Sequence, residues 1–312
     1  MMIPHPVRCA LLALCLVPTL AAAQTPGRNL RNDAAAPIVV TGQPVTREQA
    51  RERAATFVRQ IGVARGDTSA ARFIDPVCVR VLGIAESYAA LVAERMRAIA
   101  GEARITVAPE GCRPNVIVSF VGDASALVRD IARRSPTRFQ HVALDQREAL
   151  LNGNAPIRWW YLTETRSRHS MRNAPQSVQT GSTPGPDGQS TTSSTLDVES
   201  LNEYGGGSHI SNSVHRAILE ANVVIDLDQA EGQTLQAVAA YAAFVAFSEV
   251  RPSAPPPTGS ILGLFATESG SMGLTDWDLA FLRALYQIPL DRQARRHRGM
   301  IVRDMVNFQT RG

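Results

Sequence analysis

Thr234–Val250, TLQAVAAYAAFVAFSEV, is the most apolar long run of the chain outside its N-terminal end. Drawn as a helix, Leu235, Val238, Tyr241, Phe244, Val245 and Phe247 surround the whole circumference with alanine between them, and a helix apolar all round is a buried one. A membrane span is the poorer reading, because a run of this length, heavy in alanine, reaches only about 25 Å. The stretch predicts a central core helix starting after Gly232, and the flanking segments say what surrounds it.

Upstream, HRAILEANVVIDLDQAEG carries VVIDLD, a β-branched run that reads as a buried strand feeding the helix. Downstream, RPSAPPPTGS is a stiff polar connector. LTDWDLAFLRALYQIP then sets Thr275 and Asp278 in capping-box register, with Trp277, Phe281, Leu282, Leu285 and Tyr286 along one face and Pro289 as the stop. A last helix near RRHRGMIVRDMVNF offers Met300, Ile301, Val302, Met305 and Phe308.

The first half is of another kind. TREQARERAATFVRQIG opens on a Thr46/Gln49 capping box and stops at Gly62. VCVRVLGI predicts a buried strand, and AESYAALVAERMRAIAGEA a helix with Tyr88, Leu91, Val92, Met96 and Ile99 on one stripe. NVIVSFV reads as a second strand, followed by the helix DASALVRDIARRSP with Asp123 as N-cap. Strand, amphipathic helix, strand defines an α/β unit. IRWWYLTET, Ile157–Thr165, is the aromatic centre of the chain; as a strand it buries one Trp and leaves the other at a cleft or on a second packing layer. From Arg166 to about Ser213 the composition turns to Gly, Pro, Ser and Thr, which predicts a mobile loop or an inserted hairpin between the halves.

The N-terminal end, MMIPHPVRCALLALCLVPTLAAAQ, has one charge at Arg8, a short apolar run and Ala21-Ala22-Ala23, the pattern of a secretory signal peptide cut after Ala23. An uncleaved anchor is the alternative, disfavoured by the shortness of the run and by Pro18. Residues 24–45 form a polar, Pro- and Ala-rich leader. Two cysteines, Cys78 and Cys112, remain after cleavage. An exported chain usually pairs such a pair, here joining the two strands of the α/β unit; two free thiols or half a metal site are the alternatives, although no CxxC or CxH accompanies them.

The net charge of +4 and pI near 9.2 come from arginine alone, since the sequence has no lysine. Nucleic-acid binding needs these groups on one face with stacking aromatics, and aromatics make up only 5% of the chain, so solvated helix faces are expected and no nucleic-acid partner.

Taken together, PIVVTG, VCVRVLG, GCRPNVIVSF, IRWWY, VVIDLDQAEG before an Ala-rich helix, SILGLF and LTDWDLAFLRALY resemble a family of uncharacterised exported proteobacterial proteins, motifs to which no catalysis attaches. More weakly, the second half resembles zincin-like peptidases: strand, long buried helix, connector, then Asp278 to Tyr286 as D-x-x-x-L-x-x-L-Y. In an active zincin that helix bears H-E-x-x-H, two imidazoles one turn apart on one zinc and a Glu to activate its water. Leu235–Glu249 contains no His, so the resemblance implies the shape without metal or peptidase chemistry.

Other chemistry is thinly supported. GGGSHISNSVH spaces His209 and His215 poorly for a metal, Ser208 beside His209 lacks the strand–elbow–helix frame of a serine hydrolase, and Asp226 and Asp228, on one face of a strand end, suit capping or a turn better than acid–base work. We therefore expect an α/β or α+β protein, with a disulfide-pinned strand-helix-strand region over 46–165, a flexible insertion over 166–213 and a helical, degenerate zincin-like region over 214–312. The expected role is a non-catalytic, periplasmic or secreted envelope protein that binds another envelope protein or a peptide, with no cofactor, metal site or transmembrane span; the rival is a hydrolase using Ser208, His209 or the Asp226/Asp228 pair.

Overall fold

The computed structural model describes residues 46–64, 68–167, 180–184, 190–194, 214–251, 256–266 and 273–310. The signal peptide and leader expected over 1–23 and 24–45 lie outside the described residues.

Alternating apolar strands and helices give a mixed α/β protein. Its sheet comprises β1 (Arg72–Phe73), β2 (Val79–Leu82), β3 (Val116–Val121), β4 (Ile157–Ser167) and β7 (Val214–Asp226); β5 (Thr180–Pro184) and β6 (Ser190–Ser194) form a separate antiparallel pair inside the Gly/Ser-rich insertion. The central strand is β7. β4 runs antiparallel to it over almost its whole length, so β3 and, nearer the start of β7, β1 share the other flank, both parallel; β2 lies beyond β3. Among the described residues there are seven α-helices: α1 (Arg47–Ile61), α2 (Glu86–Glu102), α3 (Ala124–Arg134), α4 (Leu144–Asn152), α5 (Leu235–Phe247), α6 (Asp276–Gln287) and α7 (Ala294–Gln309). No described helix is long and apolar enough to cross a membrane.

The side chains of the sheet alternate between two layers, as the pleat requires. Val116, Val118 and Phe120 of β3, Val223 and Ile225 of β7 and Ile157 and Tyr161 of β4 join the large core; Val224 and Trp160 point the other way, to a small core of Ala124, Val128, Phe139 and Leu150 under α3 and α4. The two tryptophans of IRWWY thus part: Trp160 stacks on Phe139 at 4.9 Å, and Trp159 stands edge-on to Tyr241.

α5 is the axis of the large core. Every residue from Ala237 to Phe247 is buried, with α2 packed along it. The caps follow the sequence: Thr46 with Gln49 and Thr275 with Asp278 close reciprocal boxes, and Asp123 and Thr234 accept the N–H groups of Ala126 and Ala237.

Cys78 and Cys112 form the disulfide, their Cα atoms 6.1 Å apart. Cys78 immediately precedes β2 and Cys112 lies in the loop before β3. Asn115 reinforces the junction, its side chain accepting from Cys78 N and donating to Pro76 O. Two expectations were too simple. β2 is half exposed because it is the outer strand, and Tyr88 and Leu91 of α2 face solvent while Val92, Met96 and Ile99 reach the core.

Gly62 ends α1 in the left-handed region, φ 75°. A Cβ here would meet the Arg251 carbonyl oxygen at 2.3 Å, and Arg251 N donates to Ile61 O, so glycine lets the chain after α5 lie against the end of α1. That segment, Glu249–Arg251, walls the cleft described next.

Candidate functional site

The residues nominated from sequence for hydrolysis are Ser208, His209, Asp226 and Asp228. Ser208 and His209 lie outside the described residues. Asp226 is 3% exposed and fully engaged: Oδ2 accepts from Ala124 N at the start of α3, and Oδ1 from Gln229 N in the following turn. Burial alone would raise its pKa, but these N–H donors and the Arg158 charge hold the carboxyl below its ordinary value. A carboxylate whose two oxygens are spent on a helix start and a turn is a structural group. Asp228 follows in that turn, exposed. His215 lies on β7, while His297 is buried in the core between Ala70 N and Pro289 O. Among the described residues no three His, Cys, Asp or Glu side chains converge.

A cleft of about 240 Å³ lies elsewhere, along the outer side of β4. Its floor is Ile157–Tyr161 with Thr163; one wall is His141, Gln146, Ala149 and Leu150, from α4 and the loop before it, and the other is Glu249–Arg251 after α5. Side chains from both faces of β4 line it, which sets the cleft at the edge of the sheet.

The ladder register fixes which main-chain groups face it. Asp226 N donates to Pro156 O, so in an antiparallel pair the positions bonded to β7 are 156, 158, 160 and 162. The N–H and C=O of Ile157, Trp159 and Tyr161 therefore point away from β7, and among the described residues no strand pairs with that edge. At Leu162/Thr163 the register shifts, and Thr163 N donates to His141 Nδ1 at 3.4 Å, closing the edge at that end.

The Glu249–Arg251 wall is held by charge and hydrogen bonds. Trp159 Nε1 donates to Val250 O, and the Tyr161 hydroxyl lies against Val245 O and Ser248 O while accepting from Val250 N. Burial pushes the Tyr161 phenol well above its usual range, so it stays a neutral donor. Glu249, 5% exposed, is gripped by both terminal nitrogens of Arg216 and by Arg251; burial pushes the carboxyl up, but the two guanidinium groups outweigh it and hold it below the ordinary range. Glu249 is thus a neutralised strut with no proton to exchange near neutrality.

Arg158 is different. It is 2% exposed and lines the cleft; one terminal nitrogen donates to Gly153 O, while Nε and Nη1 have no acceptor among the described residues. Burial lowers its pKa, against the fields of Asp226 and Asp123.

His141, Arg158 and Glu249 were not nominated from the sequence. The available signal was IRWWY, in which one Trp was expected to be buried and the other to lie at a cleft or on a second packing layer. Comparison of the chain with protein-family models, with curated proteins and with solved structures gave no match.

Proposed function

We propose that the protein is an exported, non-catalytic interaction protein of the bacterial envelope that receives an extended polypeptide segment along the outer edge of β4. The observation that carries this is the coincidence of a strand edge left unpaired among the described residues, at Ile157, Trp159 and Tyr161, with an aromatic-lined cleft. Main-chain donors and acceptors at strand spacing are met best by another extended backbone, and side pockets then select alternate side chains. The Cys78–Cys112 bond is in keeping with an oxidising compartment such as the periplasm. The zincin-like resemblance fits the succession of antiparallel β4, β7 and buried α5; on this view the helix keeps its place while Ala, Val and Tyr occupy the positions where ligands would stand.

Amide exchange tests the proposal. In the chain starting at Gln24, the amides of Ile157, Trp159 and Tyr161 should exchange fast and those of Arg158 and Trp160 slowly. A bound extended peptide should slow the first set, and Ala149→Trp, which fills the cleft from an exposed position on α4, should abolish the effect. Peptides that bind without protecting these three amides would overturn it.

A further inference from the structure

The cleft carries a chemical preference as well as a shape. A strand laid beside β4 sends alternate side chains to opposite faces of the sheet. One set meets Trp159, Tyr161 and Val250; the other meets Arg158 on the α4 side. Among the described residues, the buried side-chain atoms without partners on that side are all donors: Arg147 Nε, Arg158 Nε and Nη1, and Trp160 Nε1. A buried donor left without an acceptor costs about 1–3 kcal/mol, more when charged, so this layer is short of acceptors.

The nearby carboxylates do not supply the lack. Asp226 hydrogen-bonds Ala124 N and Gln229 N, Asp123 caps α3 through Ala126 N, and neither forms an ion pair with Arg158. Across the cleft, Glu249 is neutralised by Arg216 and Arg251, so an incoming anion meets little repulsion, and His141 stands on the rim.

We propose that the segment received by β4 carries an aspartate or glutamate on its α4-facing side, and that its carboxylate is the acceptor for the unpartnered nitrogens of Arg158. This rests on the strand-addition reading of the cleft. An opposite-charge cross-strand pair is the sheet's ordinary neighbour contact, and here one half of it is already buried and waiting. Alternate residues of the same segment are apolar, since they lie over Trp159 and Val250.

The probe is a pair of end-blocked heptapeptide pools, identical except for glutamate or glutamine at the centre, with the other positions drawn from Val, Ile, Thr and Ser. Binding to the chain from Gln24 is followed by calorimetry and by amide exchange. The glutamate pool should bind at least tenfold more tightly, Arg158→Gln should erase the difference, and Arg158→Lys should retain part of it. Equal binding of both pools, with protection of Ile157, Trp159 and Tyr161, overturns the acidic preference and leaves strand addition standing. A preference that survives in Arg158→Gln overturns the role of Arg158, and binding without protection of those amides overturns both proposals. The comparison of pools on the unaltered protein does not depend on how the variants fold.

Discussion

The Tyr161 hydroxyl on β4 lies 2.6 Å from Val245 O and 2.7 Å from Ser248 O, and Val250 N donates to it from 3.1 Å. One side chain from the sheet thus closes the C-terminal end of the buried helix α5, where the last carbonyls have no partner within the helix. Tyr161→Phe removes that closure with little change of shape. A loss of about 1–3 kcal/mol is expected in urea unfolding, the cost of leaving buried backbone groups unpaired. A loss too small to measure would mean that water reaches the helix end.

Glu249→Ala should cost more, about 3 kcal/mol or above, because it strands Arg216, which is largely buried. Glu249→Leu combined with Arg216→Met should recover much of that loss, since both charges then go together. The comparison of single and double variants by thermal unfolding isolates the pair.

His297 makes the protein sensitive to mild acid. It is 0% exposed, accepts Ala70 N–H at Nδ1 and faces Pro289 O through Nε2, which defines a neutral ring protonated on Nε2. Burial lowers its pKa below 6.5, and Arg72 and Arg292 add to that. His215 shifts the same way through burial and the Arg166 and Arg72 charges. Between the folded value and 6.5 the unfolded chain binds more protons, so the stability from these groups is complete above about pH 6.5 and lost as the pH falls below it. Urea midpoints across that range should decline toward acid, and His297→Gln should flatten the decline.

Replacing Cys78 and Cys112 together by serine should lower stability by about 4 kcal/mol on the chain-entropy account of a loop of this length. Mass spectrometry after alkylation should find no accessible thiol in the unreduced chain beginning at Gln24, and two after reduction.

Much of the scaffold was legible because its signals are local. The capping boxes at Thr46 and Thr275, the Asp123 cap and the all-round apolar surface of α5 each depend on residues within a turn or two of one another. The exposure of β2 was not legible, since β-branched residues look alike on central and outer strands and only the pairing of β3 with β7 makes β2 the outer one. The cleft was hidden for a related reason. His141, Arg158 and Glu249 are far apart in sequence, and the register of β4 on β7 determines which backbone groups of IRWWY face outward. For Asp226 the capping or turn role was legible but not its partner, since Ala124 at the start of α3 is 102 residues away.

A free strand edge invites copies of a protein to join sheet to sheet and polymerise. In β4 that edge sits at the bottom of a trench, between α4 and Glu249–Arg251, and is shut at one end by the Thr163–His141 contact. A helix on one side and a loop on the other cover an open edge in the way that folded proteins commonly blunt one. The recess that suits β4 to the strand addition proposed above is thus also a cover against unselective pairing of that edge.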